Sequence, residues 1–271
     1  MKPYYEHGGI TIYHGDCREI LPAIEAETVD AVITSPPYGG MRAYGDRFET
    51  SEWIDVIRYL FPLLSEGGVL MWNVADQVVD GSETGTSFRQ ALAMLDVGFK
   101  LHDTMIYIKE GVQFPDTNRY FGAFEYMFVA SKGSPRTFNP IADRRNKWGG
   151  DSIHGTERQS NNSIKPTRGL SVGRTVKEFG WRYNYWLMAN RNDGDGHPAT
   201  MPMSMATDHL RTWTVAGELA LDPFAGSGTT LFAAKRLHMC AIGIEIEERY
   251  CEIAAKRLSQ EVFDFAAGVE A

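Results

Sequence analysis

Apolar and polar positions along this chain follow two periods, and the period switches repeatedly between them. Ile10-Thr11-Ile12-Tyr13 predicts a short strand closed by His14-Gly15-Asp16, and Cys17 to Ile24 predicts a short helix with Asp16 as its cap. The run Val29 to Ile33, interrupted by Asp30, has the character of a buried strand. Trp53, Val56, Ile57, Leu60 and Leu64 then recur at helical spacing within Glu52 to Leu64. Val69 to Val74 returns to strand character, and Ser87 to Val97 predicts a helix ended by Gly98. Leu101 to Ile108 and Tyr126 to Ala130 predict two strands, with antiparallel pairing expected between them. Pro202 to Trp213, Thr229 to Leu237 and Glu247 to Leu258 predict helices, with strands at Leu219 to Asp222 and Cys240 to Glu245. Such alternation defines an α/β protein.

The pattern fails from Gly133 to about Pro198, a stretch rich in Gly, Ser, Asn and Arg. Isolated aromatics at Phe138, Trp148, Phe179, Trp181, Tyr183, Tyr185 and Trp186 are expected to form a small core there. The chain therefore divides into a body made of residues 1–132 and 197–271, and a recognition or lid region at residues 133–196.

Of the 271 residues 43% are apolar, enough for one sizeable core with elaborations. No apolar run approaches the roughly 18 residues of a membrane span, and Met1 to Tyr13 contains Glu6 and His7 in place of a signal-peptide stretch. Cys17, Cys240 and Cys251 are too few and scattered for a disulfide framework or a thiolate metal site, and no His/Cys/Asp spacing suggests a metal. The expectation is a cytoplasmic protein without membrane or metal. Its net charge of -8 conceals an asymmetry: Lys132 to Arg191 holds 12 basic and 4 acidic residues. A basic module on an acidic body suits phosphate contacts from one face.

Two stretches carry candidate chemistry. The strand ending Val32-Ile33-Thr34 runs into Ser35-Pro36-Pro37-Tyr38, where two prolines end the sheet ladder and stiffen the corner. A hydroxyl and an aromatic ring held on either side of it could grip a small planar group. Near the other end, Asp222-Pro223-Phe224-Ala225-Gly226-Ser227-Gly228-Thr229-Thr230 follows a strand and opens a helix, and Glu245 ends the next strand. Glycines permit a close backbone approach, the helix start offers unpaired amides, and a strand-end acid can accept from ribose hydroxyls. The glycines do not spell the dinucleotide fingerprint, and no Gly-Lys-Ser/Thr follows to hold a triphosphate. The acid at the mouth of the turn suits an ammonium better than a pyrophosphate, which points to S-adenosylmethionine.

Together the sequence resembles the amino-methyltransferases of DNA in their permuted, beta-type order, with the catalytic motif before the recognition region and the glycine-rich motif after it. The pieces are Gly15-Asp16-Cys17, Thr34-Ser35-Pro36-Pro37-Tyr38, the strand beginning Gly67-Gly68, His197-Pro198-Ala199, Asp222 to Thr230, Gly243-Ile244-Glu245 and Tyr250. The resemblance implies a Rossmann-like methyltransferase fold: a seven-stranded, mostly parallel sheet with helices on both faces, plus a small target-recognition region. It implies that S-adenosylmethionine is held by Asp16, Thr34, His197, Asp222, Pro223, Phe224, Ala225, Gly226, Ser227, Gly228, Thr229 and Glu245. Ser35, Pro36, Pro37 and Tyr38 would be catalytic, acting on a base flipped out of double-stranded DNA.

Ser35 resembles the family signature associated with N4 of cytosine, which implies that target, with N6 of adenine, where the family more often has Asp or Asn, as the alternative. Arg42, Arg144, Arg145, Lys147 and Arg182 are the candidate DNA contacts. Glu125 reads as a commonplace acid beside a strand. A cognate restriction endonuclease and a monomeric or homodimeric state stay open, as does a catalytically silent, sequence-specific DNA-binding module.

Overall fold

The computed structural model describes residues 1–37, 50–110, 118–120, 122–152, 156–166, 174–189 and 201–260. Two compact units emerge, one made of Met1–Asn139 with Asn184–Ala271, the other of Pro140–Tyr183. The larger is built on one sheet. Its strands are β1 (Tyr5–His7), β2 (Ile10–His14), β3 (Val29–Thr34), β4 (Leu64–Val74), β5 (Lys100–Glu110), β6 (Phe124–Ser131), β7 (Tyr185–Ala189), β8 (Leu219–Asp222) and β9 (Cys240–Glu245). Their spatial order is β1-β2-β9-β8-β3-β4-β6-β5-β7. All run parallel except β6, which pairs antiparallel with both β4 and β5, and β1, which is antiparallel to β2.

Nine strands stand where seven were expected, because a strand is added at each edge. β1 is the first arm of a hairpin. β7 comes from the stretch whose periodicity looked broken: Trp186 and Met188 are buried against the core, whereas Tyr185 and Leu187 face out. That is strand alternation over the four residues Tyr185 to Met188, hidden in the sequence by the surrounding Arg and Asn residues. β4 also begins five residues before its apolar run, since Leu64 pairs with Val29 ahead of a bulge in β3.

Helices α1 (Cys17–Ile20), α2 (Thr50–Leu63), α3 (Thr86–Val97), α4 (Met203–Trp213), α5 (Thr229–Arg236) and α6 (Glu248–Ser259) complete the unit. Two clusters of buried side chains cover the two sheet faces. One contains Met205, Leu210, Leu231, Ala234 and Leu258 of α4, α5 and α6. The other contains Trp53, Ile57, Leu60, Ala91 and Met94 of α2 and α3. Along β4, Val69 and Met71 enter the first cluster, and Leu70 and Trp72 the second. A strand buried on both sides reads as an unbroken apolar run, and β4 does so from Val69 to Trp72. Among the described residues no helix is long and apolar enough to cross a membrane.

His209 on α4 lies wholly inside the first layer, 4.5 Å from the Trp186 ring centroid. Trp213 Nε1 donates to its Nδ1 at 3.3 Å, and Nε2 faces Met127 Sδ at 3.4 Å. Burial drives its pKa down to about 3. The unfolded chain takes up this proton near pH 6.5 and the native state does not, so stability is full above that pH and falls as pH drops towards 3. By that linkage about 2 kcal/mol is lost between pH 7.5 and pH 5. Urea midpoints should show this slope in the wild type and a flatter one in His209→Asn; equal slopes would remove His209 as its source.

The smaller unit pairs Thr156–Arg158 with Ile164–Pro166 and Arg144–Arg145 with Phe179–Gly180, both antiparallel. The expected aromatic core is not there. Trp148, Phe179, Trp181 and Tyr183 are 62%, 45%, 60% and 53% exposed. Strand pairs of two or three residues offer no broad face for large rings to bury against. Cations pack on the rings instead: Arg144 over Tyr183 at 4.6 Å and Lys147 over Trp148 at 5.0 Å. The remaining three aromatics, Phe138, Tyr185 and Trp186, belong to the larger unit, Phe138 packing on Trp213 at 5.3 Å.

Candidate active site

The chain leaves β8 for β9 on one side and β3 for β4 on the other, while β8 and β3 lie side by side and parallel. Outside the carboxyl ends of two such strands an open α/β sheet leaves a crevice. The diproline corner follows β3 and the glycine turn follows β8. Thr34 Oγ1 donates to Asp222 Oδ1 at 2.7 Å across 188 residues of chain. Thr230 Oγ1 adds a second tie by donating to Ile33 O at 3.1 Å.

Asp222 is 4% exposed, and its Oδ1 also accepts from Phe224 N at 3.1 Å. Burial raises its carboxyl above the ordinary value, against opposing hydrogen bonds from Thr34, Thr230 and the Phe224 amide. The chain then turns through Gly226 (φ 50°) and Gly228 (φ 81°) into α5. A side chain at Gly228 would also meet Ala254 Cβ at 2.9 Å, so glycine is required twice over. Gly228 caps α5 without a side-chain hydrogen bond, which leaves the leading amides to another partner.

Glu245, 8% exposed, accepts from Gly226 N at 2.8 Å on Oε2 and from Glu247 N at 2.9 Å on Oε1. Burial raises this carboxyl too, with the two amides opposing. A carboxylate has about four lone-pair sites, so capacity for hydroxyl donors remains after two amides. Ser227 Oγ, buried in the same turn, has no hydrogen-bond partner among the described residues. A turn shaped by glycines, an orphaned buried hydroxyl and a half-used carboxylate fit a nucleoside ligand with an amino-acid arm.

Asp16 sits at the start of α1, next to Gly15, whose amide donates to Glu245 O at 2.9 Å. Its Oδ1 caps the helix by accepting from Arg18 N at 2.9 Å, and both oxygens accept from Arg18 Nε. The Arg18 guanidinium holds its carboxyl below the usual range, and it also pairs with Glu52. Asp16 is therefore both cap and ion-pair partner, beside the segment that carries Glu245.

At the corner Pro36 is buried, and Ser35 and Pro37 are half-buried. Asn73 Nδ2 donates to Ser35 Oγ at 3.5 Å and to Glu125 Oε2 at 2.6 Å, and Lys109 Nζ pairs with Glu125 Oε1 at 2.5 Å. Sequence inspection missed this chain of contacts. The missed signal is phase: Asn73 alternates with Met71, and Glu125 with Met127 and Val129, all in one buried layer. A charge in step with core residues is more informative than a charge beside a strand.

Tyr38, Arg42 and His197 lie outside the described residues. In the smaller unit Arg145 and Lys147 are exposed. Arg182 forms a fork with Asp143 at 2.6 to 2.9 Å, and Arg144 Nε donates to Trp181 O at 2.8 Å. Among the described residues no His, Cys, Asp and Glu group could hold a metal ion.

The N6/N4 methyltransferase family model, described as DNA methylase, matches residues 29–256. The orphan methyltransferase M.BamHII of Bacillus amyloliquefaciens is 42% identical over 245 residues, covering 87% of this chain and 90% of that protein. Among solved structures, the cytosine-N4-specific PvuII DNA methyltransferase superposes with a TM-score of 0.71 at 19% identity, over 96% of this chain and 90% of that one. The complex of M1.HpyAVI with S-adenosylmethionine superposes with a TM-score of 0.62 at 22% identity, over 92% and 100%.

Proposed function

The chain belongs to the N6/N4 DNA methylase family and is an S-adenosylmethionine-dependent DNA methyltransferase acting on an exocyclic amine, and from that premise we propose that its target is N4 of cytosine in double-stranded DNA. One observation supports a single site for both halves of the reaction: the Thr34–Asp222 hydrogen bond ties the diproline corner to the glycine turn. Ser35, in place of an acid or amide at that position, favours cytosine over adenine.

S-adenosylmethionine, when bound, supplies the electrophilic methyl of its sulfonium. Phe224 to Thr229 would hold the methionine arm, with Asp222 at the mouth, and Glu245 would accept from the ribose hydroxyls. Asp16, Thr34, Pro223 and His197 complete that side. An exocyclic base amine is a weak nucleophile because its lone pair is delocalised into the ring. What it needs is alignment. Ser35 Oγ and the Pro36 carbonyl accept its N–H groups and draw the nitrogen towards tetrahedral geometry, while positive charge developing there meets oxygens already in place. Pro37 keeps the corner stiff, and the Tyr38 ring stacks on the extruded base. No cysteine adjoins the two prolines, so a covalent ring-carbon route has no nucleophile there.

Residues 133–196 serve target recognition in this reading, with Pro140–Tyr183 carrying nine basic and four acidic residues. Arg145 and Lys147 reach phosphate, Arg144 and Arg182 shape the surface through Tyr183 and Asp143, and Arg42 closes on the flipped nucleotide. The segments joined at the corner come from one chain, and no step requires a partner nuclease. The reaction belongs in the cytoplasm, with DNA and the methyl donor.

The test is to treat unmodified genomic DNA with enzyme and labelled methyl donor, digest it to nucleosides and identify the product by mass. N4-methylcytosine is the expected product. N6-methyladenine would move the target to the alternative amine, and specific binding without transfer would identify a silent DNA-binding module. Glu245→Ala should weaken S-adenosylmethionine binding about 10- to 100-fold, as expected when hydrogen bonds to a charged acceptor are lost. Unchanged affinity by calorimetry would reject the ribose assignment.

A further inference from the structure

Ser35 does not stand alone at the corner. Asn73 is the last residue but one of β4, Glu125 is the second residue of β6, and Lys109 is the last but one of β5. The order β3-β4-β6-β5 places Asn73, Glu125 and Lys109 on successive strands beside Ser35, which directly follows β3. Asn73 and Glu125 are 3% and 7% exposed. Glu125 faces Tyr107 across the β5–β6 ladder, and burial, aided by the Glu125 charge, pushes the Tyr107 hydroxyl up to about 12.

The two ends of an asparagine amide have nearly the same shape, and only their partners decide which way they point. Glu125 Oε2 accepts from Asn73 at 2.6 Å, which turns Nδ2 towards the carboxylate. The same nitrogen then reaches Ser35 Oγ at 3.5 Å, long for a hydrogen bond and within reach of tightening. Lys109, at 2.5 Å, anchors the other Glu125 oxygen and balances its charge. A buried ion pair seldom stabilises a fold more than apolar residues of the same volume would. Its location, one amide away from Ser35, indicates service to the corner.

We propose that Glu125, backed by Lys109, is a positioning residue for methyl transfer: it fixes the Asn73 amide so that an N–H is aimed at Ser35 Oγ, and so sets the orientation in which that hydroxyl meets the target amine. This rests on the role given to Ser35 above. Glutamine at 125 cannot satisfy both neighbours. With its carbonyl towards Asn73 its amide opposes the Lys109 ammonium, and the reverse orientation turns Asn73 over and removes the N–H from Ser35.

The experiment measures single-turnover methyl transfer to unmodified genomic DNA, S-adenosylmethionine affinity by calorimetry, and Tm. Glu125→Gln is expected to slow transfer by about 100-fold, the scale of a small misplacement, with cofactor affinity moving less than about twofold. In a Ser35→Ala background the same substitution should change the rate by less than about twofold, since the two act as one unit. Two further pairs separate acceptor from charge, both leaving the site neutral should Glu125→Gln alone fold poorly. Lys109→Met with Glu125→Gln keeps an acceptor for Asn73 and should recover the rate. Lys109→Met with Glu125→Leu has none and should stay slow at comparable Tm.

Recovery in the leucine pair would reduce Glu125 to a counter-ion for Lys109 and overturn the proposal. So would an equal loss with and without Ser35. If Ser35→Ala is slow and Glu125→Gln is not, only the positioning role falls. If Ser35→Ala retains the wild-type rate, the role of Ser35 falls with it.

Discussion

Asp222→Ala is expected to damage both fold and cofactor binding, with a loss of about 2–4 kcal/mol in stability and a drop of about 10- to 100-fold in S-adenosylmethionine affinity. The substitution deprives Thr34 Oγ1 and Phe224 N of their acceptor in a site that is 4% exposed. Each buried donor left without a partner costs about 1–3 kcal/mol. It also unties the diproline corner from the glycine turn, and removes the acid proposed to meet the ammonium of the methionine arm. Asp222→Asn separates these contributions. Its carbonyl oxygen can still accept from Thr34 and Phe224 N, so Tm should return most of the way while cofactor affinity stays low. Denaturant unfolding and calorimetry on the same preparations decide the matter. An alanine variant with wild-type Tm and wild-type affinity would show that the tie between the two segments is incidental.

Tyr38→Ala is expected to slow methyl transfer by about 10- to 100-fold, the value of one base–aromatic stacking contact at 1–3 kcal/mol. Cofactor affinity should move by less than about threefold, because stacking acts on the extruded base and not on the donor. Tyr38→Phe should retain most of the rate, since the proposed role belongs to the ring and not the hydroxyl. Transfer and binding measured together make the comparison. Equal losses in both would assign Tyr38 to the shape of the cofactor pocket instead of to the base.

Both substitutions fall in segments that the sequence makes legible. The Pro36-Pro37 corner and the Gly226–Gly228 turn are local events: φ restriction at proline and left-handed backbone at glycine are dictated by a few consecutive residues. The Asp16 cap belongs to the same class. Helices α3 to α6 and strands β8 and β9 were legible because apolar residues recur there at an unambiguous period. β7 was not, because four alternating residues inside a polar, basic stretch give too short a signal. The rings of the smaller unit were misjudged for another reason. Whether an aromatic is buried depends on whether a face exists to cover it, and composition does not reveal that.

Motif order, turn chemistry and the residue types available for an amine, a ribose and an ammonium were determined by the sequence alone. Adjacency was decided by the tertiary structure. Parallel pairing of β8 with β3 brings Asp222 within 2.7 Å of Thr34, and the order β3-β4-β6-β5 links Ser35, Asn73, Glu125 and Lys109 in one chain of contacts. Burial raises the carboxyls of Asp222 and Glu245 and lowers the imidazole of His209. Desolvation and long-range hydrogen bonding depend on what surrounds a group in space, and a chain written in one dimension does not contain those neighbours.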